Sequence, residues 1–221
     1  MFGRWILLIP GLRRPQHALI PSSSQEFILL SDILGLSLLV DSINHPKPPH
    51  STEGTVLGPF HSYEAEHKES GETISHDRNG EPLLVLCTIK DSYGKPVEGA
   101  KVDIWETDSS GHYDVQYADR DGPDGRVVIK SREDGSFWFK AIKPVPYPIP
   151  HDGPVGKLLE KLYRHPFRPS HMHFMFEKPG YDHLITYFLI QPMSKQAADV
   201  RGLGPCISGG TRTRPQTPCL V

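Results

Sequence analysis

Short runs in which apolar and polar residues alternate fill most of the chain between residues 55 and 190. The segment PLLVLCTIKD is apolar enough for a buried strand, AKVDIWETD alternates, and SREDGSFWFKAIKP repeats the pattern around an Asp-Gly turn. Further strands are predicted in SHMHFMFEKPG and HLITYFLI. Evenly spaced short strands with such turns indicate a mainly β fold, an antiparallel β-sandwich with a short α-helical N-terminal segment.

Two segments instead repeat apolar residues at helical spacing. In SQEFILLSDILGLSLLVDSIN this spacing predicts one helix from about residue 24 to residue 44, with Ser24 as N-cap and with a stripe that includes Phe27, Leu30 and Leu38. The proline-rich connector HPKPPHSTEG then ends it. A second, short helix is predicted inside the sandwich in GPVGKLLEKLYRH, where three leucines share a face.

These patterns divide the chain into four zones. We expect an irregular N-terminus over residues 1–24, a residual helical segment for linking or dimerisation over 25–50, and the β-sandwich domain over 51–190. The last zone, 191–221, is rich in Gly, Pro, Thr and Arg without periodicity. We expect this tail to be irregular and poorly ordered.

Composition narrows the classes of function. The 221 residues suffice for one packed domain, and a net charge of −2 without a basic block argues against nucleic acid as the main partner. Three cysteines without CxxC spacing favour a reducing compartment over a disulfide framework or a zinc cluster. No apolar run approaches the roughly 18 residues of a membrane span, and we read no signal peptide. We therefore expect a cytoplasmic protein that has no membrane partner.

The stretch RPSHMHF places two histidines one residue apart. Strand alternation points His171 and His173 to the same face, which suits a shared metal ion and equally suits a half-solvated strand. The residues by themselves leave both interpretations open.

Two tyrosines lie in restrained segments of the same region. Tyr113 follows the strand VDIWETD in a glycine-containing stretch, and Tyr147 lies between two prolines, which hold the backbone with little freedom. The latter is also what a rigid exposed loop looks like. Should two phenols and two imidazoles meet, ferric iron is the metal that the set favours, because phenolate suits a highly charged cation, whereas zinc recruits thiolates, carboxylates or a third histidine.

Several of these segments together resemble the intradiol ring-cleavage dioxygenases. The resemblance rests on VLGPF, VDIWETDSSGHYD and SFWFKAIKPVPYPIPHDGPVGKLLEKLYRHPFRPSHMHF, and it covers about residues 25–190. It implies that Fe(III) is bound by the four residues that match the family's iron ligands: Tyr113, Tyr147, His171 and His173. It also implies catalytic roles for Tyr147, as the ligand that leaves and takes a substrate proton, and for Arg168, as the active-site arginine.

Within the family, YPIP is most similar to the branch that cleaves hydroxyquinol. The positions that match this branch's substrate pocket are Leu29, Asp32, Val56, Leu57, Gly58, Pro59, Phe60, Ile149, Pro150 and Arg168. Asp32 has a physical rationale, because a carboxylate at the pocket rim could accept a hydrogen bond from the third hydroxyl that catechol lacks. It is equally explained as an aspartate on the polar face of a helix.

The resemblance implies an oxidoreductase that opens an aromatic diol or triol ring with O2, as a homodimer formed through the N-terminal helical segment. Catechol is the alternative substrate, and a non-catalytic iron-binding sandwich or a secreted member of the superfamily are the other classes. Two departures bear on this expectation. Tyr187 stands where many relatives have a pocket glutamine, and the stretches before residue 25 and after Gln191 do not resemble the family.

Overall fold

The N-terminal part of the fold is helical. A computed structural model describes residues 26–48, 51–190 and 206–207 of the chain. Its first helices are α1 (Glu26–Ile33) and α2 (Leu36–Asn44). The prediction of one continuous helix is wrong, because Gly35 adopts a left-handed conformation with φ of 70° between them. Glycine takes this conformation without the steric cost that a side chain would add, so the helical hydrogen bonding ends there and restarts.

The larger sheet has five strands in the order β3-β2-β7-β8-β9. Its members are β2 (Lys101–Trp105), β3 (Arg126–Lys130), β7 (His171–Glu177), β8 (Leu184–Ile190) and β9 (Cys206–Ile207). All neighbours pair antiparallel except β8 and β9, which pair in parallel. Strand β3 has no counterpart among the predicted strands, although Val127 and Ile129 have the β-branched side chains that favour strands.

Two smaller pairs complete the described strands. Strand β1 (Pro82–Thr88) pairs antiparallel with β4 (Ser136–Ile142), and β5 (Tyr147–Pro148) pairs with β6 (Phe167–Arg168). The predicted short helix is α3 (Pro154–Lys161), which begins with proline at its first position. The Glu26 carboxylate accepts a hydrogen bond from the backbone N–H of Val155 at 2.9 Å and so joins α1 to the start of α3.

The main hydrophobic core lies between the five-stranded sheet and the β1–β4 pair, so the mainly β sandwich is confirmed. Alternation along β2 and β7 sends Ile104 and Phe174 into this core, where they join Phe137 and Phe139 of β4. The intervening residues of β2 and β7 face the opposite side of the large sheet. That outer face carries a second buried cluster, which consists of Trp105, Tyr113, Tyr147 and Met175.

Strand β1 is not the buried strand that its apolar run predicts. Leu83, Val85 and Cys87 pack against the core, whereas the side chains of Leu84 and Leu86 are 55% and 71% exposed. The strand belongs to a two-stranded pair with one covered face, so only every second residue is inside.

Most of the two ends of the chain lies outside the described residues. The predicted irregular N-terminus, 1–24, lies outside the described residues, and so does nearly all of the tail. The exception in the tail is β9, which pairs with the end of β8. In the described part of the chain, no helix has the length and apolar character needed to span a membrane.

Candidate metal centre

Two imidazoles form the floor of the candidate site. His171 and His173 point from β7 to the outer face of the large sheet, as their alternation predicts, and their side chains are 2% and 3% exposed. Their Nε2 atoms lie 3.2 Å apart. This arrangement excludes the half-solvated strand as an explanation of the His-x-His pattern.

Burial and nearby positive groups leave both imidazoles neutral. Burial, followed by the Arg168 charge, lowers the pKa of His171 well below its usual value. Burial and the neighbouring His171 do the same to the pKa of His173. His171 Nδ1 lies 2.7 Å from the Pro169 carbonyl oxygen, which assigns the ring proton to Nδ1 and leaves a lone pair on Nε2. The lone pair is available to a cation.

Tyr113 reaches the imidazoles from the loop after β2. Its hydroxyl lies 3.4 Å from His171 Nε2, and the side chain is fully buried. The Tyr113 backbone N–H donates to the Gln116 side chain at 2.8 Å, which fixes the start of a short 3-10 helix, Asp114–Gln116. Burial, followed by the proximity of Tyr147, raises the pKa of the Tyr113 phenol well above its usual value. The hydroxyl therefore keeps its proton unless a cation replaces it.

Tyr147 completes the set from the short strand β5. Its ring centroid lies 5.6 Å from that of Tyr113 and 5.4 Å from that of His171. The side chain is 6% exposed, so the alternative of a rigid loop that displays this tyrosine to solvent is wrong. Gly111 has a positive φ of 83°, and a Cβ at this position would lie only 3.1 Å from the Cβ of Tyr147. A glycine there lets the two tyrosine-bearing loops approach each other.

The Arg168 guanidinium points to the same buried space as the two imidazoles and the two phenols. Strands β5 and β6 pair Tyr147 with Arg168 in register, and the guanidinium donates a hydrogen bond to the Tyr147 hydroxyl at 3.0 Å. Burial opposes the charge of Arg168, but the phenol oxygens of Tyr147, Tyr113 and Tyr187 outweigh it and raise the pKa of the guanidinium above its usual value. A permanent cation therefore faces the phenol oxygen of Tyr147.

A second layer supports these groups, and the sequence patterns did not reveal it. The Trp105 ring stacks on the His173 imidazole with centroids 4.8 Å apart and planes 2° from parallel. Behind Trp105, His61 Nε2 lies 3.1 Å from an Asp103 carboxylate oxygen, and both side chains are almost fully buried. His61 therefore supports the site from behind Trp105.

A buried ion pair next to Tyr113 was also missed. Arg126 and Asp114 are 3% and 8% exposed, and Arg126 donates to both oxygens of the Asp114 carboxylate, with 2.6 Å between Nε and Oδ2. Arg126 also donates to the Phe60 carbonyl at 3.1 Å. The pair therefore ties strand β3 to the segments that carry Tyr113 and Phe60. Asp114 ends the segment VDIWETDSSGHYD, but Arg126 lies 12 positions further on at the start of β3, and no local pattern pairs the two residues.

Some residues of the predicted substrate pocket lie against this centre. Phe60 stacks on Tyr113 with centroids 4.7 Å apart, and Leu57 packs on the same buried cluster. A Cβ on Gly58 would lie 3.8 Å from the His173 imidazole, so the Gly58 backbone passes close to the ring. The other pocket positions rest on the resemblance and stay predictions: Leu29 and Asp32 on α1, Val56, Pro59, Ile149 and Pro150.

The donor set fits a single metal ion. Because His171 carries its proton on Nδ1, its Nε2 lone pair faces His173, where it can accept a hydrogen bond from His173 Nε2–H or bind a cation. A shared cation satisfies both lone pairs and the nearby phenol oxygens. Among the residues that the structure describes, no group of three or more His, Cys, Asp and Glu side chains could hold a metal, so a cation at this place would need the phenols.

A broad cavity of about 670 Å³ lies elsewhere, beside the loop that follows Tyr113. Its lining is polar and includes Asp77, Asp108, Arg120 and Asp124. None of the four donor residues lines it, so we place the chemistry at the buried cluster on the large sheet.

This combination of a β-sandwich with a His-x-His strand and two buried tyrosines matches known proteins. Residues 56–197, more than half of the chain, match the sequence profile of the dioxygenase family, and residues 19–52 match the profile described as catechol dioxygenase N terminus. The chain belongs to the intradiol ring-cleavage dioxygenase family.

Several relatives are named for hydroxyquinol or its chlorinated form. The chain is 70% identical over 175 residues to the intradiol ring-cleavage dioxygenase hqdA of Aspergillus niger, covering 79% of this chain and 53% of that protein. It is 50% identical to a 6-chlorohydroxyquinol 1,2-dioxygenase of Cupriavidus pinatubonensis, over 74% of this chain and 59% of that protein. The structure of hydroxyquinol 1,2-dioxygenase from Pseudomonas putida superposes with a TM-score of 0.72 at 44% identity, over 75% of this chain and 57% of that one. The chain thus spans little more than half of each relative's length.

Proposed function

We propose that the chain forms the ferric active site of an intradiol dioxygenase whose substrate is hydroxyquinol. The observation that carries the proposal is the convergence of His171, His173, Tyr113 and Tyr147 on one buried space, with the Arg168 guanidinium hydrogen-bonded to Tyr147. The family uses non-haem iron, and the phenol and imidazole donors suit its ferric form.

Each residue of the centre has a distinct role in this proposal. His171, His173, Tyr113 and Tyr147 would hold the iron, and Tyr147 would also serve as the proton acceptor for the substrate. The Tyr147 phenolate then accepts a proton from a substrate hydroxyl, because its oxygen already faces the site. Ferric iron held by these residues would supply the Lewis acidity that makes the ring of a bound diol reactive towards O2.

Arg168 and the apolar residues shape the rest of the site. The guanidinium stabilises the negative charge that develops as oxygen adds to the ring. Phe60 and Leu57 exclude water from the buried cluster, which strengthens that interaction. Ring opening between the two hydroxylated carbons takes both atoms of O2 and gives 3-hydroxy-cis,cis-muconate, the tautomer of maleylacetate. Catechol would give cis,cis-muconate.

The visible absorption spectrum of the iron-loaded protein tests the proposal. Two tyrosinates on ferric iron should give a broad charge-transfer band and a red-brown colour, and hydroxyquinol added without oxygen should shift that band. A protein that stays colourless after ferric reconstitution contradicts the proposed site. A coloured protein that shows no oxygen uptake supports instead the alternative of a non-catalytic iron-binding member.

Oxygen uptake with the two substrates then decides between hydroxyquinol and catechol. We expect kcat/KM for hydroxyquinol to exceed that for catechol by about tenfold or more, because a hydrogen bond to the third hydroxyl is lost with catechol. Asp32→Ala should remove most of this preference and leave the catechol reaction nearly unchanged. Equal rates in the unmodified protein would favour catechol 1,2-dioxygenase activity.

We also propose that the helical segment forms a homodimer interface. Leu36, Leu39 and Ile43 recur at helical spacing on α2 and are 53%, 57% and 69% exposed, and Phe27 of α1 is 85% exposed. A second copy of the chain is the occupant that the resemblance implies.

The dimer is tested by measuring the molar mass with light scattering as the protein elutes from a size-exclusion column. The double substitution Leu39→Glu and Ile43→Glu should weaken association by more than about tenfold, because two buried apolar side chains become charged. Leu86→Glu is the matched control, since this exposed leucine lies on β1, away from the helices. A monomeric parent protein, or equal masses for all variants, would contradict the proposal.

We propose a helical segment over residues 25–50 that precedes a catalytic sandwich over 51–190. The sparse cysteines support a reducing compartment such as the cytoplasm.

A further inference from the structure

Tyr187 is a third phenol at the centre, and strand register brings it there. In the β7–β8 pairing its Cα lies opposite that of His173, so both side chains point to the outer face of the large sheet. Its side chain is 7% exposed. The Tyr187 ring centroid lies 5.3 Å from that of His171 and 5.8 Å from that of His173, at interplanar angles of 59° and 69°.

The Arg168 guanidinium lies between two phenol rings. Its central carbon is 5.9 Å from the ring centroid of Tyr147 and 5.8 Å from that of Tyr187. Both distances fall within the range over which a ring attracts a cation. Because Tyr147 is on β5 and Tyr187 is on β8, the two rings approach the guanidinium from different elements.

We infer that Tyr187 is the positioning residue of Arg168. Its ring confines the guanidinium against Tyr147. The guanidinium therefore keeps its hydrogen bond to the Tyr147 hydroxyl and stays directed at the space in front of the two imidazoles. The consequence for catalysis rests on the proposed function, whereas the confinement itself is a property of the folded chain. Arginine side chains carry several rotatable bonds, so a guanidinium without this second wall would sample other directions.

The confinement is measured without metal, by the rate at which phenylglyoxal modifies each arginine of the metal-free protein, followed by peptide mass spectrometry. Removing the ring in Tyr187→Leu should speed modification of Arg168 about threefold to thirtyfold, the range that one cation–π contact supplies. Tyr187→Phe keeps the ring and should stay within about twofold of the parent rate.

An internal reference and a matched variant separate confinement from general loosening. Arg126 is buried in its ion pair, so the ratio of the Arg168 rate to the Arg126 rate cancels any loss of overall stability. Phe188→Leu removes a neighbouring ring of β8 that packs on Phe174 on the other face of the sheet, and it should leave this ratio unchanged. An unchanged ratio in Tyr187→Leu overturns the inference, even if both rates rise.

The iron-loaded variants supply the second readout. If Tyr187 acts through Arg168, Tyr187→Leu should lower kcat about tenfold and change KM less than threefold, while the charge-transfer band keeps its position. Tyr187→Phe should restore most of kcat. A loss confined to KM would overturn the positioning role. A chain that binds no iron would refute the proposed function, and the arginine modification ratio would still decide whether Tyr187 confines Arg168.

Discussion

Replacing Tyr113 with phenylalanine is expected to abolish iron retention and the visible charge-transfer band. The hydroxyl is the only group lost, and it lies 3.4 Å from His171 Nε2 in a fully buried position. Without its negative oxygen, a ferric ion in this low-dielectric space lacks the charge that offsets its own. Iron content after gel filtration and the absorption spectrum measure the loss.

The expected size of the effect follows from the behaviour of metal sites. Loss of an outer partner commonly costs about 10–100-fold in metal affinity, and loss of a direct donor should exceed that range. Folding should change little, because phenylalanine preserves the stacking on Phe60 at 4.7 Å. Tyr117→Phe is the matched control, since this exposed tyrosine bonds to Asp108 instead. A Tyr113→Phe protein with full iron content and an intact band would contradict the proposed ligand set.

The largest expected loss of stability comes from Asp114→Ala. The substitution leaves the Arg126 guanidinium buried without its carboxylate, and breaking a buried pair in this way costs about 3–5 kcal/mol. Asp114 also accepts hydrogen bonds from the backbone N–H groups of Val115 and Asp124, at 2.8 and 3.2 Å, so the turn after Tyr113 loosens as well. Urea unfolding followed by tryptophan fluorescence measures the free energy of unfolding.

A double-mutant cycle separates the lost pair from the lost turn contacts. Arg126→Met combined with Asp114→Ala removes both charges, and it should recover part of the stability that the single substitution loses. Asp119→Ala, at an exposed position five residues further on, should stay within about 0.5 kcal/mol of the parent. If Asp114→Ala were no more destabilising than this control, the ion pair would not be what fixes the Tyr113 loop.

Local sequence determined those features that depend on neighbouring residues. The period of two along SHMHF fixed that His171 and His173 share a face, because successive strand residues point to opposite sides whatever the rest of the chain does. Helix α3 was predictable for the same reason, since its leucines repeat at helical spacing and a proline stands at its start. The antiparallel sandwich followed from the count and spacing of short alternating strands.

Two predictions about individual elements were wrong for different reasons. The prediction of one continuous helix was wrong at Gly35, where the apolar stripe continues but the backbone adopts a left-handed conformation. The burial of β1 was wrongly predicted, because an apolar run does not reveal whether a second layer covers both faces of the strand. The family resemblance, rather than any pattern, supplied the two tyrosines and the arginine as partners of the histidines.

Only the tertiary structure brought distant groups into contact. Tyr113 and His171 are 58 positions apart, and the loop path after β2 decides that their polar atoms meet. The Asp114–Arg126 pair and the confinement of Arg168 by Tyr187 likewise depend on loop closure and on the register of β7 against β8. A shift of that register by one residue would turn Tyr187 to the other face of the sheet. Period and propensity are properties of adjacent residues, whereas register and loop closure are set by the packing of the whole domain, and the site consists of groups that only this packing assembles.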